Sequence, residues 1–137
     1  MTSPARMLAR LLTGGTYAVL GLDALRTPGG RVDVAGPTLD TMRQAVPLPE
    51  DDELLVRANA AVQTVAGATL AVGVLPRLSA LGLIGSLVPT TLAGHAFWKI
   101  EDPAARKNQQ VQFTKNMAML GGLVYVALDR RKAKPAD

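Results

Sequence analysis

A chain of 137 residues holds one domain, and the absence of cysteine removes disulfides, thiolate nucleophiles, Cys-ligated zinc and iron–sulfur clusters from consideration. A single histidine excludes a multi-histidine haem or metal centre, so no metal site and no intrinsic cofactor is specified. The net charge of +4 and the pI near 9.9 invite a nucleic-acid reading, but the basic residues are scattered, without aromatic interleaving or a helix-turn-helix pattern, and nucleic acid is not an expected partner.

Taken in chain order, the first apolar segment spans about residues 7–25, with Arg10 and Asp23 bracketing its uncharged stretch Leu11 to Leu22, and Thr27-Pro28-Gly29-Gly30 ends it. Residues 26–53 read as a polar, Pro-rich loop in which Leu39 to Val46, started by Thr38 or Asp40, forms a short interfacial helix. Glu50 to Glu53 then place acidic residues at the positive end of the next helix. Two runs without formal charge follow, Ala58 to Pro76 and Leu78 to Trp98, and they meet at a Pro76-Arg77 turn. Each run has about the 20 residues that cross the hydrocarbon layer, which predicts antiparallel spans over 54–75 and 78–98. The same runs also suit the buried hairpin of a soluble protein. Pro89 falls inside the second run, and Phe97 and Trp98 suit an interface at its end. Asp102-Pro103 reads as an N-cap with proline at the first helical position, leading into a fourth span over 108–128 and a basic tail over 129–137. The expected fold is therefore an all-α, four-transmembrane-helix bundle, up-down-up-down, in one domain. The basic tail argues for cytoplasmic N- and C-termini.

That topology places the polar residues of four stretches on one membrane side: Asp23, Asn59 with Gln63, His95, and Lys115 with Asn116. Asn59 and Gln63 are four residues apart, as are Thr91 and His95, so each pair shares a helical face. Polar and ionisable groups inside spans mark a pathway, a ligand site or a structural network. An Asp23–Lys115 pair would simply hold the first and fourth spans together, or Lys115 would reach the interface on its flexible stem. A ligand cleft would use Lys115 as counter-charge and His95 as hydrogen-bond partner. His95 and Trp98, three apart, would share a face suited to a quinone-like ring. No Walker loop, dinucleotide fingerprint, GxSxG elbow or HExxH motif is present. Small residues recur at packing spacing, Gly67 with Ala71 and Gly82 with Ser86.

Four stretches resemble the DoxX family of small four-helix membrane proteins: Gly21-Leu22-Asp23-Ala24-Leu25-Arg26 with Pro28, Gly73-Val74-Leu75-Pro76-Arg77-Leu78-Ser79-Ala80, His95-Ala96-Phe97-Trp98, and Gln112 to Gly122, the last being the most specific. Where the family's second helix often carries an acidic residue, this chain has Gln63 ahead of Gly67. The resemblance implies a multi-pass protein of the bacterial plasma membrane, acting as the anchor subunit of a redox or oxidative-stress-related assembly with protein partners. It also leaves open a quinone-linked oxidoreductase subunit acting on a small sulfur compound, and a structural accessory subunit of a larger membrane complex.

Overall fold

The computed structural model describes residues 3–129 and is built of five α-helices: α1 (Pro4–Arg26), α2 (Arg31–Arg43), α3 (Asp52–Val72), α4 (Pro76–Gly94) and α5 (Pro103–Leu128), with a 3-10 turn at Phe97–Lys99. No strand occurs among the described residues. The basic tail beyond Asp129 lies outside them.

The helix starts are written in local chemistry. The Asp51 carboxylate accepts the Leu54 amide hydrogen at 2.9 Å, and the Asp102 carboxylate accepts that of Ala105 at 2.7 Å. Each aspartate thereby satisfies an amide that the first turn of a helix leaves without a partner. Pro103 follows as the first residue of α5, where its missing N–H costs nothing.

Between α3 and α4 the turn lies earlier than the Pro76-Arg77 dipeptide suggested. It consists of Gly73 to Leu75, and Pro76 is already the first residue of α4. Gly73 takes a left-handed conformation at φ 79°, and the Val74 amide returns to the Thr69 carbonyl at 2.8 Å, closing α3 as a Schellman motif. Leu75, at φ 44°, is also left-handed, a strained geometry for a branched side chain.

Two further expectations need correction. The 26–53 stretch is not mainly loop: α2 starts at Arg31, eight residues before the expected Leu39, and continues through Pro37. Proline removes one intrahelical hydrogen bond, so a Pro-rich stretch favours a loop reading, yet the helix runs on from either side of Pro37. At the other end of the chain, α4 stops at Gly94, so the 78–98 span is cut short and Trp98 sits in the separate 3-10 turn.

Consecutive long helices pack in opposite directions. The α1–α3 seam pairs Arg10 with Gly73, Gly14 with Gly67 and Ala71, and Gly21 with Thr64 and Ala60. Arg57 closes its far end by donating to the Leu25 carbonyl. The α3–α4 seam runs from Thr69 and Ser79, whose hydroxyls meet at 2.8 Å, to Asn59 and Thr90. The α4–α5 seam runs from Arg77 and Asp129 to His95 and Gln109. Helix α2 lies against α3 and α4 and buries none of its own residues.

The core is small, centred on Tyr17, Leu70, Leu83, Leu87 and Leu123. Large apolar side chains instead point outward along the long helices, among them Leu12, Val19, Val65, Val72, Leu78 and Leu81. Among the described residues, two helical stretches, Asp52–Val72 and Pro76–Lys99, are long and apolar enough to cross a membrane, and only 17% and 28% of their apolar windows are buried. A core hairpin of a soluble protein would bury most of that surface. Helices α1 and α5 do not meet the same measure: α1 carries Arg6, Arg10, Asp23 and Arg26, and α5 mixes charged and amide side chains into its first half.

Candidate functional site

A cavity of about 810 Å³ lies where all five helices converge. Its walls are largely apolar, with Leu20 and Ala24 from α1, Val34, Ala35, Leu39 and Met42 from α2, Leu55 and Val56 from α3, Leu87 and Ala93 from α4, and Met119 from α5. The polar groups are concentrated on the remaining positions: Asn59 and Gln63 on α3, Thr90 and His95 on α4, and Asn116 on α5. An apolar enclosure with a few convergent polar groups is the usual form of a small-molecule site.

The polar groups are held by cross-helix hydrogen bonds centred on two adjacent threonines. Asn59 donates from its amide nitrogen to the Thr90 hydroxyl at 3.1 Å, and Asn116 donates to the Thr91 hydroxyl at 3.0 Å. Neighbouring residues on a helix point about 100° apart, so one step along α4 is enough to address α3 on one side and α5 on the other. Thr90 also donates to the Ser86 carbonyl at 2.8 Å, one turn back. Pro89, lining the cavity directly before this pair, has no N–H to give to the carbonyl four residues earlier, which loosens the α4 ladder at cavity level.

His95 caps α4: its backbone N–H reaches the Thr91 carbonyl at 2.9 Å, and its Nδ1 lies 2.7 Å from the Gln109 side-chain oxygen. With the oxygen of Gln109 as acceptor, Nδ1 carries the proton and Nε2 is left as an acceptor. Tyr17 lines the opposite wall. It is 3% exposed and its hydroxyl has no hydrogen-bond partner, an uncommon state for a buried phenol.

Of the seven residues singled out from the sequence, His95, Asn59, Gln63 and Asn116 line this cavity together. Asp23, Lys115 and Trp98 do not. Asp23 pairs with Arg31 at 2.8 Å, so the Asp23–Lys115 pair does not form, and Lys115 is exposed. Arg31 lies eight residues from Asp23 across a tight turn, and this local partner is reached at less entropic cost than one on α5. Trp98 is half exposed and packs edge-on against Phe97 and Phe113, with ring centroids 5.2 and 5.7 Å away. Because α4 ends at Gly94, the shared helical face expected for His95 and Trp98 does not exist.

Sequence reasoning passed over Tyr17, Thr90 and Gln109. Tyr17 belongs to a legible stripe, since Gly14, Tyr17, Gly21 and Ala24 are the buried positions of α1 at helical spacing. Nothing local marks Thr90 or Gln109, whose partners are 31 and 14 residues away.

Helix α2 closes one side of the cavity and is tied down at its C-terminal end. Arg43 donates to the Pro49 carbonyl at 2.7 Å, to Asp40 at 2.9 Å and to Asp52 at the start of α3. The hydrogen bond it donates to the Asp52 carboxylate raises the guanidinium pKa above its ordinary value. That contribution would be lost only on raising the pH through the elevated value, so this latch stays charged across the physiological range.

The DoxX family profile matches residues 5–96, about two thirds of the chain. The chain belongs to the DoxX family. No curated protein and no solved structure matched it. The matched segment takes in α1 to α4, including Asn59, Gln63, Thr90 and His95, and stops before α5. The Gln112 to Gly122 stretch, which carried the most specific resemblance in the sequence, lies beyond it. Asn116 and Met119 therefore line the cavity of this DoxX protein, and Gln109 reaches His95, from a helix outside the matched segment. Membership of this membrane-associated family, together with two apolar helices turned outward, places the protein in a lipid bilayer.

Proposed function

We propose that this DoxX-family protein is a multi-pass anchor subunit of a redox-related assembly in the bacterial plasma membrane, and that its cavity takes the ring of a quinone. In this reading α1, α3, α4 and α5 all cross the bilayer as an up-down-up-down bundle, with both termini cytoplasmic. The observation that carries the ligand reading is the polar rim of Asn59, Thr90, His95 and Asn116 on an otherwise apolar cavity of about 810 Å³. A quinone fits such a place in kind: a flat apolar ring with carbonyl oxygens that accept hydrogen bonds. The remaining amide hydrogens of Asn59 and Asn116, the Gln63 amide and the unpartnered Tyr17 hydroxyl are donors of the type that would hold those oxygens. A quinone would bring the electron-carrying chemistry, while these side chains would orient the ring and keep water away. Without cysteine, electrons from a small sulfur compound would enter through a partner subunit rather than through a thiol of this chain.

Titration of the purified protein in nanodiscs with a short-chain quinone analogue tests the ligand reading. Tyr17→Phe, which removes the one unpartnered hydroxyl donor lining the cavity, is expected to weaken binding roughly tenfold, the worth of one buried hydrogen bond. Unchanged affinity would overturn it. The anchor reading requires stoichiometric partners on mild purification from native membranes, and repeated recovery of the chain alone would count against it. Mutual pairing of the asparagines and threonines favours a second reading, in which the rim only fixes helix positions. That reading expects Tm to fall in rim variants while the purified protein binds no quinone.

A further inference from the structure

The opposite end of the molecule carries a second recess, about 430 Å³ in volume, lined by Arg6, Arg10, Arg77, Tyr125 and Asp129 with apolar flanks at Leu75 and Leu78. Three guanidinium groups face a single carboxylate there. Asp129 offers them little: its carboxylate is 3.5 Å from Arg6, and Arg77 bonds the backbone carbonyl of Asp129 instead, at 2.6 and 2.9 Å. The Nε of Arg10 is buried without any partner.

The backbone adds to this charge. Helices α1 and α4 both begin at this end, and neither has a side-chain cap or an acidic residue in its first turn. Helices α3 and α5 begin at the other end, each capped by an aspartate. The protein thus neutralises two positive helix ends on one side and leaves two open beside three arginines on the other.

We propose that this recess binds the phosphate of an anionic membrane lipid. Phosphate is the chemistry shared by a lipid headgroup and free inorganic phosphate, and the surroundings favour the lipid. Tyr125, Leu75, Leu78 and Leu128 are 79%, 66%, 64% and 71% exposed around the arginines, an apolar apron on which acyl chains lie but which a free anion does not use. By sequence the chain continues from Asp129 into Arg130, Arg131, Lys132 and Lys134, adding positive charge in the adjoining segment. Basic clusters beside membrane helices attract anionic lipid electrostatically.

Native mass spectrometry of the full chain, released from detergent with phosphatidylglycerol or phosphatidylcholine, tests the assignment. The expected result is one retained phosphatidylglycerol, preferred over phosphatidylcholine and not displaced by millimolar inorganic phosphate. The double variant Arg6→Gln/Arg77→Gln should weaken retention by roughly ten- to thirtyfold, while Lys107→Gln, at the other end, should not change it. Asp129→Asn removes the competing carboxylate and should tighten retention several-fold, a gain that misfolding does not produce. Equal retention of the two lipids, no response to the arginine changes, or weaker binding by Asp129→Asn would overturn the site. Displacement by inorganic phosphate would overturn the lipid as its occupant.

Discussion

The α1–α3 seam and the α4–α5 seam show two ways of joining helices in one small protein. Along α1–α3 the backbones touch: a Cβ on Gly67 would lie 2.5 Å from the Ala18 nitrogen and 2.7 Å from the Gly14 oxygen, and one on Gly21 would lie 2.7 Å from the Thr64 nitrogen. Along α4–α5 the contact near the cavity is made through side chains, by Asn116 on Thr91 and Gln109 on His95. Close backbone approach gains dispersion energy and leaves no room for a ligand. Side-chain bridges hold helices farther apart, and the cavity lies where those bridges occur. The first seam is joined backbone to backbone, and the second, at cavity level, side chain to side chain.

The contrast is broken most forcefully at its tightest point. Gly67→Leu should destabilise the protein by about 1–3 kcal/mol or more, because the new side chain meets backbone that has no rotamer to yield. Thermal unfolding in detergent measures it, and an unchanged Tm would mean that the α1–α3 contact is not close in the bilayer. Asn116→Ala should cost about 1–2 kcal/mol, since Thr91 is 1% exposed and loses its donor. A double-mutant cycle with Thr91→Val should give a coupling of about 0.6 kcal/mol, typical of hydrogen bonds between helices in lipid. Zero coupling would remove the bridge from the account. The smallest effect has the opposite sign. Gly121→Ala on α5, where a Cβ meets nothing within 4 Å, should stabilise by about 0.5–1 kcal/mol by restricting the unfolded chain. A loss there would show that another helix packs on that face.

Local chemistry was legible wherever one residue answers to its near neighbours. Asp102-Pro103 announced the start of α5, the acidic run announced the start of α3, and the two charge-free runs announced the helices that are apolar enough to cross a bilayer. The DoxX resemblance drew on those runs only through Gly73 to Ala80 and His95 to Trp98, and otherwise on Gly21 to Arg26 and Gln112 to Gly122. Four of the seven singled-out side chains also came together, because helical spacing and antiparallel connection suffice to put Asn59, Gln63, His95 and Asn116 at one end.

Tertiary structure decided what depends on distance between helices. It gave Asp23 to Arg31 rather than to Lys115, carried α2 through Pro37 and over the cavity, and stopped α4 at Gly94 so that Trp98 turned away from His95. It also matched Thr90 and Gln109 to partners that no local pattern names. The physical reason is common to all of these. Composition and periodicity fix which face of a helix is apolar, but pairing between polar groups falls off within a few ångströms, so it is set only when the helices have taken their positions.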